Sequence, residues 1–102
     1  MSFWKKWRAK KLDEREILKT ALNTYGAEAQ TLMLFEEMSE LTKELCKHAR
    51  GKDNRTCIAE EIADVRIMLD QMAMLHDCED DAARYRKLKI KRLGERLKMN
   101  SE

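Results

Sequence analysis

Proline is absent from this 102-residue chain, glycine occurs only three times, and aromatic residues make up 6% of it. β-Sandwiches and barrels need turn residues and strand formers in quantity, so both are excluded by what is missing. Cysteine is scarce: Cys46, Cys57 and Cys78 are odd in number and contain no C-x-x-C pair. That removes a disulfide framework and a cysteine-based zinc site, and fits reduced thiols in the cytoplasm. No run approaches the ~18–20 apolar residues of a membrane span, and MSFWKKWRAKK at the N-terminus has no apolar core like that of a signal peptide. What remains is one all-α domain, an antiparallel bundle of about four helices over 12–102, preceded by a basic arm over 1–11 that carries Trp4 and Trp7. A domain of this size buries only roughly 60–65% of its unfolded surface, so assembly as a homodimer or homotetramer is expected.

A formal net charge of +2 has no strong sign, but the total conceals a pattern. Residues 1–20 hold seven basic and three acidic side chains, 21–83 hold six and fourteen, and 84–98 hold eight and one. An acidic centre lies between two basic ends, and the function has to account for both.

Apolar spacing predicts four helices. The first runs from Leu12 to Tyr25 and stops at Gly26. The second spans Ala27 to Arg50 with a seam of Leu34, Met38, Leu41 and Leu45, and ends in the polar GKDN loop. A third begins near Asn54 or Thr56, both suitable caps, and runs to His76 with the seam Ile58, Ile62, Val65, Leu69 and Met72. It also carries Ile67, Met68, Met74 and Leu75, so it is apolar around most of its circumference and belongs at the centre of the bundle or at a subunit interface. After a D-C-E-D-D break, the fourth helix occupies Ala82 to Lys98.

Helices two and three repeat one pattern at an offset of 24: L-F-E-E-M-S-E-L from Leu34 matches I-A-E-E-I-A-D-V from Ile58. Glu37 with Glu40, and Glu61 with Asp64, are i,i+3 pairs on the same-handed flank of their seams. The intervening loop is too short for a crossover, so the helices pack antiparallel and both pairs project to one side at one height. Four uncompensated carboxylates would raise one another's pKa values, a cost that a divalent cation removes. Oxygen-only ligands select Mg²⁺, or Mn²⁺ in its place, over zinc. Lys89 and Arg92, with Arg96 a turn further on, form one face of the basic last helix and suit a phosphate clamp.

E-E-x-x-E at Glu36–Glu40 followed by E-E-x-x-D at Glu60–Asp64 resembles the paired signature of the all-α nucleoside triphosphate pyrophosphohydrolases, the MazG-like superfamily. The wider run YGAEAQ, EEIADVRIMLDQM and KLKIKRLGERL is similar to the small single-domain MazG-like proteins of bacteria and their phages, and covers Tyr25 to Leu97. The resemblance implies Mg²⁺ binding at Glu37, Glu40, Glu61 and Asp64, phosphate contacts from the last helix, and hydrolysis of a nucleoside triphosphate between its α and β phosphates. Trp4 and Trp7 match no motif of the family.

Glu36 and Glu60 sit further round their helices, and Glu44 lies one turn beyond Glu40; these three are candidates for a supporting role behind the four ligands. Tyr25, Gln30 and Tyr85 are candidates for a base pocket, whereas Phe35 is expected to pack in the core. His48 and His76 lack the E-x-x-H spacing of a ferritin-like di-iron bundle, which argues against an oxidase. Two other readings compete: a non-enzymatic nucleic-acid-binding or adaptor protein using the basic ends, and a nucleotide sensor without turnover.

Overall fold

Asp13 opens the first helix by accepting a 2.8 Å hydrogen bond from the Glu16 amide, which satisfies one of the free N–H groups of the first turn. From that residue the computed structural model describes 13–100, an all-helical chain of α1 (Glu14–Tyr25), α2 (Ala27–Ala49), α3 (Arg55–Leu75) and α4 (Glu79–Asn100). The expected arm over 1–11, with Trp4 and Trp7, and Leu12 lie outside the described residues. Gly26 separates α1 from α2 at φ 93, a left-handed conformation that favours glycine, and its amide closes α1 on the Leu22 carbonyl at 2.9 Å.

The α4 boundary differs from the expectation. Only His76, Asp77 (at φ 50) and Cys78 separate α3 from α4, and Glu79, Asp80 and Asp81 form the first turn of the helix. Acids read from the sequence as a break are favoured there by the positive end of the helix dipole.

Helices α2 and α3 form the antiparallel hairpin, and α3 is the central element, packing against α1, α2 and α4. The hairpin is rotated relative to the expected seam. Gln30, Leu34, Glu37, Leu41 and Glu44 turn inward from α2, while Met38, Leu45, Ile62 and Leu69 remain exposed. Leu34, Leu41, Ile58 and Val65 belong to either stripe, so the apolar pattern alone permits both rotations. Packing of α1 on α2 and α3 accompanies the observed one: Leu22, Leu34 and Met68 are the buried apolar side chains, and Gln71 ties α3 to the Leu18 carbonyl of α1 at 3.4 Å.

A single chain leaves much of its apolar surface in water. Its accessible area is 8993 Å², against roughly 6,000 Å² for a compact monomer of its mass. Helix α4 packs against α3 and is joined to α1 at its base by the Arg15–Glu79 ion pair, and every residue from Asp80 to Lys98 is exposed, including Tyr85, Leu88, Ile90, Leu93 and Leu97. No helix among the described residues is long and apolar enough to cross a membrane.

Candidate functional site

The hairpin brings Glu37 of α2 to Glu61 and Asp64 of α3, with one carboxylate oxygen of each lying within 4.8 Å of the others. The rotation described above places Glu37 and Glu61 at the edge of the interhelical seam, where both are half-buried. Desolvation, followed by the charges of Asp64 and Glu61, pushes the Glu37 carboxyl above its usual range. Glu61 is raised too, first by desolvation and then by Asp64 and Glu40, with partial relief from a hydrogen bond shared with Glu37. One oxygen of Glu61 is shielded from solvent and has no hydrogen-bond partner. An acidic group whose oxygens converge and whose buried lone pairs go unused fits a hard cation, since a proton alone relieves only part of the repulsion.

Glu40 is near enough to influence Glu61 electrostatically, but the close cluster comprises three residues rather than four. Asp64 supplies an oxygen to that cluster, whereas Glu36 and Glu60 are exposed and take no part in it. Glu44 is engaged elsewhere: it accepts a 2.6 Å hydrogen bond from Asn54 Nδ2 and pairs with Lys47 at 3.3 Å. These partners, Asn54 foremost, draw its carboxyl below the usual range despite some desolvation.

Asn54 was readable as a helix cap, and it does occupy the N-cap position of α3. Its side chain makes no capping bond, however. It reaches back to α2, donating to the Glu44 backbone carbonyl at 2.9 Å as well as to the Glu44 carboxylate, and is buried with 5% exposure. A cap position and a cross-hairpin tie use the same residue type, so the sequence held no signal to separate them.

The remaining candidates are dispersed. Among the described residues of one chain no part of α4 packs against α2, and Lys89 and Arg92 form no ion pair. Tyr25 and Tyr85 are exposed, the latter beneath the Arg84 guanidinium at 5.2 Å, while Gln30 is buried. Phe35, expected in the core, is exposed and lines a shallow depression of about 520 Å³ with Glu36, Glu37, Ser39 and Glu40. His48 and His76 are both exposed and stand outside the acidic group.

Comparison with protein-family models, curated proteins and solved structures returns no match in any of the three. A family reading therefore rests on the residues themselves.

Proposed function

We propose that the protein is a Mg²⁺-dependent nucleoside triphosphate pyrophosphohydrolase of the MazG-like type, which converts a (d)NTP to the monophosphate and pyrophosphate. The observation that carries this reading is the convergence of Glu37, Glu61 and Asp64 across a hairpin whose two helices repeat one acidic motif. These three residues, with Glu40 one turn away, would hold Mg²⁺ or Mn²⁺. When bound, the ion supplies positive charge for the phosphates and lowers the pKa of a water.

The remaining chemistry belongs to the chain. A carboxylate of the group not saturated as a ligand takes a proton from the attacking water, whose oxygen bonds to the α-phosphorus as the α–β anhydride bond breaks. Lys89 and Arg92 stabilise charge on the departing pyrophosphate. Because α4 does not pack on α2 within one chain, these cations reach phosphates held at the acidic group of a second copy in this reading. A homodimer or homotetramer covers Met38, Leu45, Ile62 and Leu69, and completes a base pocket from Tyr25, Gln30 and Tyr85.

Incubation with a panel of nucleoside triphosphates and Mg²⁺ tests the proposal, with equal yields of monophosphate and pyrophosphate expected and turnover lost in Glu37→Gln. Binding without turnover would favour a sensor. A second reading draws on the fully exposed cations of α4: steeply salt-dependent polynucleotide binding that needs no Mg²⁺ would assign the chain to nucleic-acid binding instead.

A further inference from the structure

An open groove lies away from the acidic group, where the ends of three helices meet. It encloses about 480 Å³ between Glu14, Arg15 and Leu18 of α1, Asp70, Ala73 and Met74 of α3, and Glu79, Ala82, Ala83 and Arg86 of α4. That is within the range of roughly 300–1,000 Å³ that suits a bound organic group. Its floor is apolar and made of short side chains: Ala73, Ala82 and Ala83 leave room that larger residues would fill, and Met74 and Leu18 border it. Its rim is acidic. Asp77, Glu79, Asp80 and Asp81 line an adjoining depression, and Arg15 bridges the two by its ion pair with Glu79.

Asp13, where the described chain begins, directly precedes two of the lining residues. The twelve residues before it carry Lys5, Lys6, Arg8, Lys10 and Lys11 with no acid, and hold the molecule's only two tryptophans, Trp4 and Trp7. Five residues lie between Trp7 and Asp13, six steps of chain that reach up to about 20 Å when extended, ample for a groove that starts at residue 14. Charge selects the destination. Further along α4, Lys87, Lys89, Lys91 and Arg92 repel a basic segment, whereas the acidic rim attracts it. Indole rings match the floor, through area burial and contacts with the Met74 sulfur, and the Arg86 guanidinium lies at hand for cation–π contact.

We propose that the basic, tryptophan-bearing segment 1–12 of the same chain docks in the α1–α3–α4 groove, with an indole on Ala73, Met74, Ala82 and Ala83 and its lysines and arginine on the acidic rim. Docking there adds to the Arg15–Glu79 ion pair in fastening the base of α4, which packs against α3, to α1. The inference is independent of the proposed activity, because none of its residues belongs to the acidic group.

Intrinsic tryptophan fluorescence reports on this segment alone, since Trp4 and Trp7 are the only fluorophores of their kind. The full chain is expected to show blue-shifted emission and protection from acrylamide, both independent of protein concentration. Ala82→Arg fills the groove, and the pair Asp80→Asn with Asp81→Asn weakens the rim while keeping the first turn of α4 polar. Each variant is expected to shift emission to the red and raise quenching towards that of free tryptophan, with helical circular dichroism unchanged. Indoles as accessible as free tryptophan in the unaltered protein would overturn the proposal. So would protection insensitive to both variants, protection that appears only as protein concentration rises, which would place the segment on a second copy, or protection that requires added polynucleotide.

Discussion

At the scale of single residues, the acidic group and the polar tie beside it have opposite energetic character. Glu37, Glu61 and Asp64 repel one another, so Glu37→Gln should stabilise the cation-free protein by roughly 0.5 kcal/mol, the order of a surface like-charge contact. The same change should abolish any Mg²⁺-induced rise in Tm and the release of pyrophosphate. Thermal unfolding with and without Mg²⁺ reads the first two, and together they distinguish a cation site from an ordinary polar surface. Asn54 works the other way. Asn54→Ala removes two hydrogen bonds to Glu44 from a buried position and should cost about 1–3 kcal/mol by urea denaturation. The carboxyl of Glu44 is held low by Asn54 and Lys47, so its contribution to stability is full above the unfolded value and fades as pH falls through the folded one. The Glu44 part of the urea midpoint should therefore be lost as the solution is acidified below the ordinary carboxylate value of 4.5, opposite in sign to the part from the raised Glu37 and Glu61 carboxyls. The gap between the unaltered protein and Asn54→Ala should accordingly narrow at acid pH.

At the scale of elements, two glycines make a clean contrast. Gly26 adopts φ 93 between α1 and α2, where an added Cβ meets no neighbour but strains the backbone, so Gly26→Ala should cost about 1–2 kcal/mol. Gly94 lies within α4, and an added Cβ there also meets nothing within 4 Å. Gly94→Ala should stabilise the protein by about 0.5–1 kcal/mol through helix propensity alone. Denaturant titration of both variants checks the pair. A loss of stability in Gly94→Ala would mean that another chain packs closely against this part of α4. The start of α4 carries a further lesson: acids at 79–81 have one sequence signature as a loop and as a first turn, and only the position of Cys78 after the turn at Asp77 decides between them.

At the scale of the whole molecule, the excess of exposed surface over a compact monomer is about 3,000 Å². Stable interfaces bury roughly 800 Å² on each partner, so the excess is more than sufficient for one. In the proposed oligomer, exposed Met38 and Leu45 on α2 and Ile62 and Leu69 on α3 would provide the apolar part of the interface. Light scattering at micromolar concentration is expected to give a mass of at least two chains, and the double change Ile62→Glu with Leu69→Glu should shift it to one. If Lys89 and Arg92 act on a second copy, the dissociated variant should also lose pyrophosphate release although its carboxylates are intact. Full turnover by a single chain would show that α4 reaches its own hairpin.

The sequence by itself determined the helical class, the helix count and the pairing of the two acidic motifs, because the absence of proline, the placement of Gly26 and Gly51 and the 24-residue repeat each act over a few turns of chain. It also determined that Glu37, Glu61 and Asp64 face one side, since a short loop forces an antiparallel hairpin. Tertiary structure decided what depends on rotation and distance. Leu34 and Val65 serve two possible seams, and the observed packing of α1 on the hairpin turns Glu37 and Glu61 inward and leaves Met38 and Ile62 outside. It brought three carboxylates, rather than four, within 4.8 Å, tied Asn54 to Glu44 instead of to its own helix, and left α4 clear of α2. Helical periodicity specifies a side chain's direction to within the width of an apolar stripe, whereas a cation site, a buried amide and a clamp depend on ångströms that only packing supplies.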